Sequence, residues 1–548
     1  MRESLEIIAS RYFEYLAHCF PVMCASDEFL AMPRAEAASS YYHRLDDLDA
    51  GAVADYLATL KDFRKELDRE FEPATDLEAR IDLELLKANI EGILIEFEEN
   101  RSWRHNPLLY LKIAFIGLDH TLSKPATDSR ECSERSVERL QAIPSLLQQG
   151  MTNITTVPLS YLQAALAMVA DCRSYLAEIA DNPIIMASPH GTPALHQVAL
   201  ALDAFGTFLA ALVPLPDERL PVAGVERNLE NVFLCTRSLS DIFQIAEEEW
   251  HHSLEQLRKL QQLVDPRKSW KQIYHAYCPV DVNSLDTFSL YGREIERLTS
   301  FFRQHGFGGM TREAPLLLCE TPTYLRSVRS SASFSAASGT HPGEADRFYL
   351  STQLPRRRGR QAEQRLKKRL LREYQFLAAH ETYPGHQLLD GVRRSHANPV
   401  RRQIESPLFY EGWAYYAESL LTEYGYVEQP MELLMECKRR LWRAARCQID
   451  VGLTSGKLKP DDAIGLLTAA GFSNEEAKTQ VNRFRLSPGY QLCYSLGRYE
   501  IMELRKVFAV RLGRDGFHRE LLQGGQLPFH LAEQFLKTIE PVKIEQGA

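Results

Sequence analysis

Apolar residues recur at helical intervals through most of residues 1–304. In 76–100, Leu77, Ile81, Leu85, Ile93, Leu94 and Phe97 alternate with charged residues as they do along an amphipathic helix. Segments 53–71, 133–149, 159–181, 194–213 and 226–264 read the same way, with Pro and Gly at several borders. No fixed-period repeat runs through them. Between His305 and Pro342 the texture changes to Gly306, Gly308 and Gly309 followed by a Ser-rich stretch, 327–338. Short strands are predicted there at Pro315–Cys319 and just beyond it at Arg347–Thr352. Helical periodicity then resumes to the end, broken near 397, 457, 471, 488 and 524. The pattern predicts a predominantly α protein with a small β element. It divides into a helical domain, 1–304, and a second domain, 305–548, that carries the strands.

Composition narrows the setting. A length of 548 residues allows two to four domains or one large multi-lobed unit, and 45% hydrophobic with 25% charged residues is ordinary for a globular protein. A net charge of −9 and a pI near 6.0 give no reason to expect nucleic acid or an anionic membrane as partner. The first residues, Met1-Arg2-Glu3-Ser4-Leu5-Glu6, lack a basic and apolar leader pattern, and no apolar stretch is read as approaching a membrane span. Ten scattered cysteines without a CxxC pair fit reduced thiols. The expectation is a cytoplasmic protein, with a homodimer left open. Arg356 to Arg360 and Arg365 to Arg372 make a locally basic run, read as a solvated loop and helix face.

The chemistry concentrates in two segments. His380-Glu381-Thr382-Tyr383-Pro384-Gly385-His386 offers two imidazoles and a carboxylate, and Glu411-Gly412-Trp413-Ala414-Tyr415-Tyr416-Ala417-Glu418 begins 25 positions later. A catalytic zinc site needs three protein ligands, an open position for water and a nearby base. On one continuous helix, histidines six residues apart point roughly 240° from each other and cannot share an ion. Pro384-Gly385 between them can bend the backbone and bring His386 back towards His380. Glu411 and Glu418 are seven apart, about two turns, so they share a helix face with Tyr415. Leu377, Leu388, Leu408, Phe409 and Trp413 flank both motifs with core-forming residues. Carboxylates facing such a core need cations or donors, which zinc and its histidines supply.

These segments resemble a bacterial family known as domain of unknown function 885, predicted zinc peptidases with HExxPGH and EGWAxYxE motifs. The likeness extends to Asn106-Pro107 with Tyr110, to Arg347-Phe348-Tyr349, and to blocks at Arg446–Gly452, Arg483–Gly497 and Phe517-His518 with Gly525 and Pro528. The resemblance implies a two-lobed, gluzincin-like helical fold with the β element near the active site. It makes His380, His386 and Glu411 the ligands of Zn2+, and Glu381 the general base. Two departures bear on substrate identity. Tyr490-Gln491-Leu492-Cys493-Tyr494 stands where relatives often have Gln-Ala-Leu-Ser-Tyr, and Thr454 where many have His.

Around that core, Glu418 is expected to orient a ligand histidine from behind. Tyr490 and Tyr494 are candidate donors to the oxyanion. Arg483 and Arg498 are candidate anchors for a substrate carboxylate, and Tyr349 and His518 candidate substrate contacts. The Arg347–Thr352 strand is a candidate for pairing with an extended peptide. Adjacent His251 and His252 diverge on a helix and read as structural or exposed. The leading expectation is a zinc-dependent hydrolase of peptide or amide bonds in small substrates. The alternatives are a pathway-specific amide hydrolase or lyase, and a non-catalytic peptide-binding protein.

Overall fold

The computed structural model describes residues 2–70, 76–217, 224–279, 286–310, 314–338, 341, 343–353 and 359–540. Helices account for 72% of residues and strands for 3%, so the predominantly α expectation holds, with one sheet of three strands among the described residues. Contacts divide the chain into two units. The first comprises Met1–Ala223, Ala314–Arg360 and Asn398–Ile404; the second comprises Gly224–Glu313, Gln361–Ala397 and Glu405–Ala548. Composition predicted one division after residue 304, whereas these units are interleaved along the chain. Side chains distant in sequence are the reason. In the first unit the Thr323 hydroxyl donates to Glu178 at 2.7 Å, the Ser327 N–H to Asp171 at 2.9 Å, and Arg401 pairs with Asp82 at 3.2 Å. The Gly- and Ser-rich texture after 304 contains one of the points where the chain passes from one unit to the other, at Glu313–Ala314, and it holds the strand Ala332–Ser335 as well as loops.

The first unit is built on helices including Pro107–Ser123, Ser129–Asn153, Leu159–Glu178 and Gly191–Ala211. Asn106 caps the first of these by accepting from the Leu108 N–H at 3.1 Å, and Pro107 occupies its first turn, where no donor is lost. Tyr110 is buried, donates to the Trp103 carbonyl at 2.6 Å and accepts from Asn153 at 3.0 Å. The Asn-Pro-x-x-Tyr segment is thus a helix start with a pinned tyrosine. Gly191–Ala211 corrects the expectation about apolar stretches: its 21 residues, with Asp203 their one charge, are long and apolar enough to cross a membrane by composition. In the unit, one face of it buries Leu195, Val198, Leu202, Phe205 and Leu209 against its neighbours.

The sheet belongs to this first unit. Strands β1 (Leu316–Glu320), β2 (Ala332–Ser335) and β3 (Asp346–Leu350) lie in the order β1-β3-β2, with Phe348 opposite Leu318 on the parallel side and Phe334 on the antiparallel side. The predicted strands correspond to β1 and β3. The unpredicted β2 shows its signal as alternation, Ala332 and Phe334 buried between half-buried serines. Because β3 is central, both its edges are already paired. The expectation that Arg347–Thr352 holds a peptide by main-chain pairing is therefore corrected.

In the second unit we label α1 (Leu239–Val264), α2 (Tyr374–Glu381), α3 (His386–Ser395), α4 (Pro407–Glu423), α5 (Pro430–Thr454), α6 (Asn474–Phe484), α7 (Leu492–Leu512) and α8 (Arg514–Gln523). α1 packs along α5, and α4 along α7. The α4–α7 crossing is unusually close because glycines face each other. A Cβ on Gly497 would lie 2.2 Å from the Leu408 carbonyl oxygen, and one on Gly412 2.6 Å from the Gly497 backbone. That proximity lets a side chain on α7 reach a carboxylate on α4. Gly497→Ala is expected to force the helices apart and destabilise the protein by about 1–3 kcal/mol, the cost of overpacking, read as a lower urea midpoint at unchanged slope.

Candidate metal centre

The first motif breaks where its sequence foretold. α2 ends at Glu381, Thr382 leaves helical geometry, and α3 starts at His386 with Gly385 as its N-cap; the Tyr383–Pro384 peptide is cis. A Cβ on Gly385 would lie 2.0 Å from the His380 carbonyl oxygen and 2.4 Å from that of Ala379, so the turn folds back against the end of α2 in space only glycine leaves open. The imidazoles of His380 and His386 consequently approach edge to face, with centroids 4.8 Å apart. The second motif is tied to the first by Trp413, whose indole N–H donates to the Pro384 carbonyl at 2.9 Å. α4 then aims Glu411 at both histidines.

Glu411 Oε2 lies 3.5 Å from His380 Nε2 and 3.6 Å from His386 Nε2, and one donor atom from each residue falls within 4.8 Å of the others. Two atoms each about 2.1 Å from a tetrahedral zinc sit about 3.4 Å apart, so this spacing fits a shared ion. Oε2 and His386 Nδ1 are buried and make no hydrogen bond. The other carboxylate oxygen is fully used: Tyr490 and Tyr494 both donate to Oε1, Tyr494 at 2.8 Å. Burial alone would raise the pKa of Glu411, but the two histidines hold it well below the usual carboxylate range. The residues present therefore fit a divalent metal with mixed nitrogen and oxygen ligands.

Behind His380 stands a buried charge network. His380 Nδ1 lies 3.0 Å from Glu418 Oε1, and Glu418 is gripped bidentately by Arg439 at 2.6 and 2.8 Å and contacted by Arg443. Arg439 continues to Glu373 at 2.7 Å, which also takes Lys438 at 2.9 Å and the Tyr274 hydroxyl. Burial opposes ionisation of Glu418, yet Arg439 and Arg443 keep its pKa well below normal. Burial and Arg443 likewise oppose protonation of His380, and the contacts with Glu411 and Glu418 outweigh them, raising its pKa. His386 stacks on Tyr410 at 4.0 Å, and the Tyr410 hydroxyl donates to Asp390 at 2.9 Å. Asp450 accepts from the Gly489 and Leu492 N–H groups at 2.9 and 3.1 Å, fixing the turn that presents Tyr490 and the start of α7 with Tyr494. Burial pushes its pKa up to about 6.

The structure thus gathers His380, His386, Glu411, Glu418, Tyr490 and Tyr494 into one cluster. Glu381 is buried beside His380 at the end of α2 and acts on it electrostatically. The remaining candidates have other surroundings. Tyr349 is on β3 of the first unit, under Arg329. Arg498 is paired with Glu249 at 3.4 Å, which also accepts the Tyr415 hydroxyl at 2.7 Å. Arg483 is half-buried in the last turn of α6. His251 and His252 are exposed on α1, and Thr454, at the departure from the family pattern, is exposed at the end of α5. Sequence reasoning missed Arg439, Arg443, Lys438 and Glu373. Met435, Arg439, Arg443, Arg446 and Asp450 fall at helical spacing along α5, and charges repeated on one stripe beside Leu434, Leu441 and Ala444 were the available signal.

His518 is a core residue, 1% exposed, with Nε2 2.7 Å from the Tyr416 hydroxyl and its ring stacked on Phe307. Burial, reinforced by Arg505, pushes its pKa down to about 3.

Residues 33–536 match the family described as bacterial protein of unknown function, DUF885. Two solved structures share the fold. One is a candidate lipoprotein of unknown function from Shewanella oneidensis, with TM-score 0.70 and 18% identity, covering 96% of this chain and 98% of that one. The other is a candidate lipoprotein from Colwellia psychrerythraea, with TM-score 0.74 and 15% identity, covering 98% of both chains. No curated protein matches the chain.

The depressed pKa of His518 has a definite consequence. Its folded pKa lies below the unfolded value of about 6.5, so its contribution to stability is complete above that pH and is lost as pH falls towards 3. Urea unfolding between pH 6.5 and 4 is expected to show His518→Gln losing stability less steeply than wild type, by about 1 kcal/mol per pH unit.

Proposed function

From the premise that the chain belongs to DUF885, a family of unknown function, we propose on the chemistry of its own site that it is a zinc-dependent hydrolase of peptide or amide bonds. The observation that carries this reading is the orphaned Glu411 Oε2, buried between the Nε2 atoms of His380 and His386 at 3.5 and 3.6 Å. A buried carboxylate oxygen without a hydrogen bond is costly unless a cation belongs there.

His380, His386 and Glu411 would hold the ion in this reading. When bound, zinc lowers the pKa of a water towards about 7 and polarises a carbonyl. Glu381 is the general base: it takes the proton from the attacking water and delivers it to the leaving nitrogen. Glu418 accepts from the Nδ1–H of His380, which fixes the tautomer and leaves the Nε2 lone pair free. Tyr490 and Tyr494 saturate Oε1 of Glu411 and so direct Oε2 to the ion; this orienting part takes the place of direct oxyanion donation in the scheme. Helix α4 supports both carboxylates at the separation two turns impose.

Elemental analysis tests the reading. Wild type and Glu381→Gln are expected to hold about one zinc per chain and His386→Ala none, with hydrolysis of small peptides lost in both variants. Glu418→Gln is expected to weaken zinc affinity about 10- to 100-fold in a chelator competition. Protein without metal that takes up none on zinc addition would sink the hydrolase reading.

A further inference from the structure

The two candidate ligand histidines are held in different ways. His380 Nδ1 has Glu418 Oε1 behind it at 3.0 Å. His386 is 4% exposed, and its Nδ1 makes no hydrogen bond. A ligand imidazole almost always gives its second ring N–H to a carboxylate, a carbonyl or water, and that bond fixes the plane of the ring. Without it, the plane of His386 rests on what lies against the ring. Tyr410 is stacked on it, with centroids 4.0 Å apart and the planes 18° from parallel. His380 meets it edge to face, with centroids 4.8 Å apart.

Tyr410 is itself fixed. Its hydroxyl donates to Asp390 Oδ2 at 2.9 Å, and Asp390 is fully buried and accepts from Arg393 Nε on its other oxygen at 2.9 Å. Asp390 stands four residues after His386 on α3, so both project from one face of that helix. Tyr410 immediately precedes Glu411 on α4. A closed circuit results: α3 supplies the imidazole and the carboxylate, and α4 supplies the ring that stacks on one and bonds the other. Arg393 also faces Glu405, just before α4, at 3.5 Å. Turning the His386 ring would require displacing a tyrosine anchored at its far end. We propose that Tyr410 is the positioning residue of His386. Its ring face, in place of a hydrogen bond, holds the imidazole in the plane that turns Nε2 towards Glu411 and the ion the two would share. The proposal rests on the metal-centre reading above and assigns the effect to the ring, since phenylalanine keeps the stacking face and loses only the anchor.

Two measurements test it, with Tyr410→Phe and Tyr410→Leu compared against wild type. The first titrates metal-free protein with Co2+ and reads the visible ligand-field absorption, with zinc affinity taken from chelator competition. Tyr410→Phe is expected to keep the cobalt spectrum and to bind zinc within about 5-fold of wild type. Tyr410→Leu is expected to shift the spectrum and to weaken zinc binding about 10- to 100-fold. The second is nuclear magnetic resonance of metal-free protein labelled at histidine Cε1, with the His386 signal identified by its loss in His386→Ala. Stacking on Tyr410 is expected to displace that signal upfield in wild type and Tyr410→Phe, and the displacement to vanish in Tyr410→Leu. Circular dichroism checks that the variants fold. Wild-type affinity and spectrum in Tyr410→Leu overturn the proposal, as does an undisplaced His386 signal in wild type, which needs no Tyr410 variant. Equal damage in Tyr410→Phe and Tyr410→Leu also overturns it, because the hydroxyl would then carry the effect. Wild type that takes up neither cobalt nor zinc removes the metal reading and this proposal together. Metal uptake that depends on the Tyr410 ring, without hydrolysis of any peptide, removes the hydrolase reading alone. Hydrolysis and metal uptake indifferent to the ring do the reverse.

Discussion

The centre depends on keeping two carboxylates ionised where water is excluded. Glu418 is 2% exposed and Glu411 5%, and a bare carboxylate in either place would protonate or unfold its surroundings. Each survives because partners are built around it: Arg439 and Arg443 for Glu418, and the imidazole nitrogens of His380 and His386 for Glu411. Removing one partner from such a pair costs about 3–5 kcal/mol, far more than the intact pair contributes to stability. The network is best understood as a device for position. Arg439 bridges Glu418 to Glu373, so α2, α4 and α5 are held in register by hydrogen bonds with little freedom of angle.

From that register follows the order within the site. Glu418 meets the back of His380, the front of His380 meets Oε2 of Glu411, and the tyrosines of the 490–494 turn close on Oε1. Of the Glu411 carboxylate oxygens, Oε1 is hydrogen-bonded by the chain itself and Oε2 is not. The two motifs are one object mechanically as well. Trp413 of the second donates to the Pro384 carbonyl of the first, while Gly385, Gly412 and Gly497 mark the places where backbone meets backbone too closely for a side chain.

Much of this was legible along the chain because it is local. Helical class follows from apolar spacing, and the break between His380 and His386 follows from Pro384-Gly385, since backbone dihedrals are set within a few residues. The shared face of Glu411 and Glu418 is likewise a property of helix pitch alone. Tertiary structure alone decided which partners those groups meet. Arg439 and Arg443 reach Glu418 across about twenty residues of chain, Arg498 is claimed by Glu249 and His518 by an aromatic core, and β3 lies in the middle of its sheet with no free edge. The grouping of Ala314–Arg360 with the N-terminal helices was equally invisible to composition. The physical reason is common to all of these. Pairing of buried charges and strands is fixed by which surfaces exclude water together, and one-dimensional spacing carries no record of that.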